Sequence, residues 1–225
     1  MVALRGKHPK KAEPKKPRVL VYGDAGVGKT WTALDFEKPF YIDTEGGANL
    51  NHYTDKLVES GGVYMGPEDG STDFDVVLEQ VRLLTTTKHD YRTLVIDSFS
   101  HLFGTRIALE YRRMEEGSSR KDMANTFGAE KKPAVSTTKQ LLTWFDKVDM
   151  TVILICHEAP DWKNKDDKGN VPVTFDGYDK LKYLLHLALH IVKQGPSRKA
   201  RVVKSRLTGF KEGEMIEWSY KEFAK

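Results

Sequence analysis

The chain is nearly devoid of cysteine. Cys156 is the only one in 225 residues, so no internal disulfide can form, and a reducing, cytoplasmic setting is expected. Long apolar runs are missing as well. No stretch approaches the roughly 18 consecutive apolar residues of a membrane-spanning helix, so no membrane association is expected. The basic N-terminus is not followed by an apolar segment, which argues against a secretory leader. No internal repeat is visible. Hydrophobic residues make up a modest 39% of the sequence, but one domain of this length can still bury a sizeable core.

The small net charge of +4 hides two basic blocks. Residues 1–18 carry Arg5, Lys7, Lys10, Lys11, Lys15, Lys16 and Arg18 against the single acid Glu13. Residues 1–17 therefore read as a basic, flexible tail. It is either a solubilising extension or a contact for nucleic acid or a neighbouring subunit. From Lys193 to Lys211 there are seven basic residues and no acid. Part of that block, Ala200 to Arg206, has strand character, which would sort its charges onto defined faces.

Between the blocks the pattern alternates as in an α/β protein. Strands are expected at 18–22, 40–43, 93–97 and 151–156, then a pair near 187–193 and 199–205. The first four are short and almost wholly apolar, as in parallel strands buried on both faces. Helices are expected at 29–36, 73–86, 101–116 and 134–149; Phe74, Val77, Leu78, Val81 and Leu84 recur at helical spacing. The last two strands flank Gln194-Gly-Pro-Ser197 and read as an antiparallel hairpin at the sheet edge. Two polar segments, about 114–133 and 158–177, read as long irregular loops. The core is expected over 18–210, with 211–225 as a C-terminal extension.

Chemistry concentrates at strand ends. Gly23, Asp24, Ala25, Gly26, Val27, Gly28, Lys29 and Thr30 form a complete G-x-x-x-x-G-K-T phosphate loop between a strand and a helix. Its glycines let backbone N–H groups turn toward phosphates, Lys29 can reach the β- and γ-phosphates, and the Thr30 hydroxyl can ligate Mg²⁺. Trp31 follows at the same helix start, so Gly23 to Trp31 are the candidate ATP-binding residues. Asp97 ends an apolar strand, where a Walker B acid would support the metal. Asp43 and Glu45 end another; Glu45 is the better candidate to orient a water, the other reading being a capped turn. His157 emerges from a third and could touch the γ-phosphate, or simply cap its strand. Cys156 has no activating partner and reads as a buried apolar residue. His186 and His190 lie in an expected strand without further ligands, so no metal beyond Mg²⁺ is expected.

Together these motifs resemble the RecA-type recombinase ATPases, nearest to the small phage-encoded members associated with single-strand annealing. The matching residues are Gly23–Thr30, Ile42-Asp-Thr-Glu45, Val95-Ile-Asp97-Ser98 and Lys199–Arg206, within a resemblance spanning about residues 18–210. It implies a three-layer RecA-like P-loop fold with a mostly parallel central sheet and a C-terminal antiparallel edge hairpin. It also implies ATP and Mg²⁺ as cofactors and a homo-oligomer, ring or filament, with ATP between subunits. Lys29, Glu45, Asp97 and His157 would act in one subunit, while Lys204 and Arg206 would reach a neighbour's γ-phosphate. The other reading of those two cations is a solvated strand or a DNA groove.

By the same resemblance, the two polar segments would contact single-stranded DNA. The candidates are Arg112, Arg113, Arg120 and Lys121 in the first, and Trp162, Lys163 and Lys165 in the second. A single-strand binding protein is a further implied partner, and the bacterial host cytoplasm the implied location if the chain is phage-encoded. Two departures stand out. His157 occupies the position of a usual glutamine, and the family's extra C-terminal domain and N-terminal polymerisation element have no counterpart in these residues. The expected function is ATP-dependent annealing or strand pairing in recombination. The rival readings are a helicase-like ring motor and a nucleotide-gated interaction switch.

Overall fold

The computed structural model describes residue 6 and residues 15–47, 51–117 and 128–224. Apolar strand segments become the centre of a sheet because both their faces find helices. Strand β1 (Arg18–Gly23) is buried at all six positions. It lies between β5 (Thr151–Pro160) and β7 (Leu187–Gln194), parallel to both. With β2 (Pro39–Asp43), β3 (Val63–Met65) and β4 (Thr93–Asp97), these strands form a parallel sheet. Strands β8 (Ser197–Ser205) and β9 (Met215–Glu217) add antiparallel pairs at one edge. The order is β3-β2-β4-β5-β1-β7-β8-β9, with β6 (Val173–Phe175) paired to β5 alone.

Strand alternation divides the core in two. Leu20, Tyr22, Ile42, Leu94, Ile96, Leu154 and Cys156 face helices α3 (Phe74–Thr86), α4 (Phe99–Gly117) and α5 (Lys131–Phe145). Val19, Val21, Tyr41, Val95, Ile153 and Ile155 face α1 (Lys29–Ala33) and α2 (Asn51–Ser60). The result is the expected three-layer α/β architecture. Helix α3 begins where Asp73 accepts the N–H groups of Asp75 and Val76, and it buries Phe74, Val77, Val81 and Leu84. The short helices α6 (Leu181–Leu184) and α7 (Tyr220–Phe223) complete the elements.

Several features depart from the sequence reading. Segment 158–177 is only partly an irregular loop: β5 continues to Pro160 and pairs antiparallel with β6, leaving 161–172 as an irregular connection with one 3-10 turn at Trp162–Asn164. Phe175, buried against Tyr22 at a ring separation of 6.0 Å, anchors that ribbon. The first polar segment is also shorter than expected, since α4 continues to Gly117 and α5 begins at Lys131. Residues 118–127, including Arg120 and Lys121, lie outside the described residues. Stretch 211–225, expected as an extension, contributes β9 to the same sheet and places Trp218 in the second core cluster. Most of the expected N-terminal tail lies outside the described residues. No helix among the described residues is long and apolar enough to cross a membrane.

Candidate nucleotide site

The sheet's register gathers the strand-end residues at one edge. Gly23 pairs with His157, and Asp43 with Asp97, so the carboxyl ends of β1, β5, β2 and β4 meet around one cleft. The cleft has a volume of about 500 Å³. Its walls include Gly23–Gly26, Lys29, Thr30, Asp43, Glu45, Asp97 and His157, together with Tyr41 and Tyr53.

The loop can curl here because of its glycines. Gly23 has φ +155°, and a Cβ there would sit 2.4 Å from the Ile191 carbonyl oxygen. Gly28 has φ +85°, and a Cβ there would meet the Arg198 side chain at 2.5 Å. The Lys29 ammonium is buried and donates to the carbonyls of Gly23 and Asp24, each at 2.8 Å. Burial pulls its pKa down, opposed by the nearby Asp97 and Asp24 charges.

Beside it, Thr30 Oγ1–H donates to Asp97 Oδ2 at 2.5 Å, and the Tyr41 hydroxyl approaches the same oxygen at 3.3 Å. The Asp97 carboxyl is pushed up to about 6, first by burial and then by the charges of Glu45 and Asp43; the Thr30 hydrogen bond and Lys29 pull it back. A divalent cation at this position would favour the carboxylate through its own charge.

Asp43 does not face the cleft as a free base. Its Oδ1 accepts the N–H groups of Glu45 and Gly46, each at 3.0 Å, so it closes the turn that projects Glu45. Glu45 is partly exposed; its Oε1 accepts from Ser98 Oγ at 2.5 Å and lies 2.8 Å from His157 Nε2. Thr44 ties the two strand ends together. Its N–H donates to Asp97 O at 2.7 Å, and its Oγ1 exchanges hydrogen bonds with the Ser98 backbone at 3.0 Å.

These residues fit a magnesium-bound triphosphate. The loop supplies glycines at positive φ and a buried ammonium, and Thr30 and Asp97 meet in a hydrogen bond. Mg²⁺ typically takes one or two carboxylates plus phosphate oxygens and water, which matches that sparse donor set. Among the described residues no cluster of three or more His, Cys, Asp or Glu side chains could hold another metal. His190 stacks on Tyr22 at 4.8 Å and lies 3.2 Å from Glu158, while His186 accepts the Arg18 N–H, so the two histidines serve separate structural contacts. Cys156 is fully buried, and burial pushes its thiol up to about 12.

Other expected residues sit elsewhere. Trp31 is partly exposed and packs against His52, Tyr53 and the Lys56 ammonium, on the side of α1 that faces α2. Lys204 pairs with Ala188 near the start of β7, which itself pairs with Leu20 of β1. The two late cations therefore lie at the opposite end of the sheet from this chain's own phosphate loop. Lys204 Nζ donates to Leu185 O, and an Arg206 guanidinium N–H donates to Tyr183 O at 2.7 Å. Arg206 falls just beyond β8, and Lys204 and Arg206 hold separate carbonyls.

The candidate DNA residues form two groups. Arg112 lines a hollow beside α3 and α4, and Arg113 pairs with Glu110 at 2.9 Å. Trp162 and Lys163 line a cleft of about 410 Å³ with Lys182 and Tyr183; Trp162 is 68% exposed and Lys163 pairs with Asp179. Lys165 follows them directly, after the short 3-10 turn Trp162–Asn164, and is exposed.

Several residues that shape the site were not singled out from the sequence. Ser98 lies within a named motif and Tyr41 beside one, but Arg198 and Trp218 come from far along the chain. The Trp218 indole N–H donates to Gly28 O at 3.1 Å, and Arg198 lies over the same glycine.

The chain is 26% identical over 194 residues to the SPbeta prophage-derived uncharacterized protein YorG of Bacillus subtilis (strain 168), covering 83% of this chain. The chain spans about half, 54%, of that curated relative. Its fold is similar to the crystal structure of the RadB recombinase, with a TM-score of 0.54 and 21% identity, covering 88% of this chain and 84% of that one. A family model described as an AAA domain matches residues 15–217, which include every strand and the whole nucleotide cleft. The chain therefore belongs to this AAA-domain family, and it carries its G-x-x-x-x-G-K-T phosphate loop on a fold similar to that of the RadB structure.

Proposed function

We propose that this protein hydrolyses ATP with Mg²⁺, binds single-stranded DNA and promotes annealing or strand pairing in recombination. The observation that carries the reading is the convergence of Lys29, Thr30, Asp97 and Glu45 on one cleft. In this scheme Lys29 and the loop N–H groups hold the phosphates, while Thr30 and Asp97 hold the metal, whose bound charge offsets that of the phosphate oxygens. Glu45 orients a water toward the γ-phosphate and takes its proton. Lys204 and Arg206 complete the site of a neighbouring copy. The support for that last step is their position at the far end of the sheet from this chain's own loop.

The recombinase title belongs to RadB and the prophage origin to the Bacillus relative. The first supports a recombination role here, and the second a phage setting. DNA contact is assigned to Trp162, Lys163 and Lys165 in the connection between β5 and β6, where an exposed aromatic ring beside cations suits base stacking and phosphate contact. Arg112, Arg113, Arg120 and Lys121 would add electrostatic attraction.

The test is a salt titration of single-stranded DNA binding with and without a non-hydrolysable ATP analogue, alongside ATPase assays with and without DNA. The reading expects tighter binding with the analogue and DNA-stimulated turnover. Binding indifferent to nucleotide would reduce the interaction to simple polyelectrolyte attraction. Directional duplex unwinding would indicate the ring motor, and slow, DNA-independent turnover the interaction switch.

A further inference from the structure

The residue assigned as the base stands against His157, the strand-end residue that could touch a γ-phosphate. His157 Nε2 lies 2.8 Å from Glu45 Oε1, and Ser98 Oγ–H donates to the same oxygen at 2.5 Å. The two partners differ in freedom. Ser98 is fully buried at the end of β4, and its Oγ also accepts the His101 N–H at 3.1 Å. The His157 side chain is half exposed at the mouth of the cleft.

The His157 backbone, by contrast, is fixed. Its N–H donates to Ser100 Oγ at 2.9 Å, and its carbonyl accepts the Asp176 N–H at 2.9 Å. Ser100 closes the loop by donating to the Asp176 carbonyl at 2.6 Å. The imidazole can therefore turn about its own side-chain bonds without disturbing the strand. The register sets it beside Gly23, the first residue of the phosphate loop.

We propose that His157 exchanges partners. Before a triphosphate arrives it holds Glu45; a γ-phosphate, carrying more charge than one carboxylate, draws the imidazole away and leaves Glu45 Oε1 open to water. Ser98 stays behind as the positioning residue that keeps the carboxylate aimed. A diphosphate presents no γ-phosphate, so His157 returns to Glu45 after turnover. Sensor and base are then one switch, and the base is released only when there is something to hydrolyse. The inference rests on the ATP reading above.

The exchange is visible without turnover, in the ¹⁵N-labelled imidazole signals of the full chain. The His157 signal is assigned by its disappearance in His157→Gln. The proposal expects that signal to sit at one position in the free and ADP-bound protein and to shift with a non-hydrolysable ATP analogue. Glu45→Gln should move it in the absence of nucleotide. A second measurement covers the case in which His157→Gln does not fold. Relative to ADP, the analogue's affinity should respond to Glu45→Gln at least about threefold more strongly in the wild-type background than in His157→Ala, a coupling of about 0.7 kcal/mol.

A His157 signal indifferent to Glu45→Gln, or one that moves equally with ADP and the analogue, would overturn the exchange while leaving the ATP site intact. Failure of the wild-type protein to bind either nucleotide would overturn both.

Discussion

At the scale of single residues, the site depends on side chains whose partners are fixed before any ligand arrives. Lys29 bridges two loop carbonyls, so its ammonium is already inside the phosphate cradle. Glu45 stands on a turn closed by Asp43. The two residues should therefore fail differently. Lys29→Ala is expected to lower nucleotide affinity and hydrolysis together, by about 100-fold or more in kcat/KM. Glu45→Gln is expected to keep nucleotide binding while cutting kcat by a similar factor. Equilibrium binding of a fluorescent ATP analogue beside steady-state phosphate release separates the cases. Normal turnover by Glu45→Gln would remove it as the base.

These residues were legible in the sequence because each lies at a fixed step from a glycine run or an apolar strand. Arg198 and Trp218 were not. They reach Gly28 from 170 and 190 positions away, and no local pattern marks a tryptophan that will donate to a loop carbonyl.

At the scale of elements, short strands and a polar helix mark the limit of pattern reading. The four early strands were readable because burial on both faces leaves an unbroken apolar run. Strands β3, β6 and β9 have three residues each, too few to show a period of two. Helix α2 presents mostly polar residues and buries Leu57, so its stripe is faint.

The β9 segment matters beyond its size, because Trp218 directly after it supports the phosphate loop from below. Trp218→Phe would keep most of the packing but remove the donor to Gly28 O. The expected cost is about 1–2 kcal/mol of stability, with a several-fold weaker nucleotide affinity because the loop carbonyl loses one of its two donors, keeping only the Thr32 N–H at 3.2 Å. Urea unfolding gives the first number and nucleotide titration the second. Unchanged affinity with lowered stability would confine Trp218 to the core.

At the scale of the whole molecule, the sheet separates the phosphate loop from the two late cations. Their identity was legible as a pair spaced by two, but their placement required strand register, which the sequence does not state. A complementation assay follows. Lys29→Ala and Arg206→Ala proteins, each inactive alone, should regain a measurable fraction of wild-type hydrolysis when mixed, because one retains an intact loop and the other an intact cation. No recovery in a mixture that co-assembles by cross-linking would remove the role in trans.

The same separation gives any such assembly a polarity. A subunit that lends charge from one end of its strands and borrows it at the other must stack head to tail, so each contact is heterologous rather than self-matching. In an open row, the copy at one terminus would always lack its lender and idle, whereas a closed circle leaves none idle. Activity per subunit would then measure how far the row has grown, or whether its ends have met.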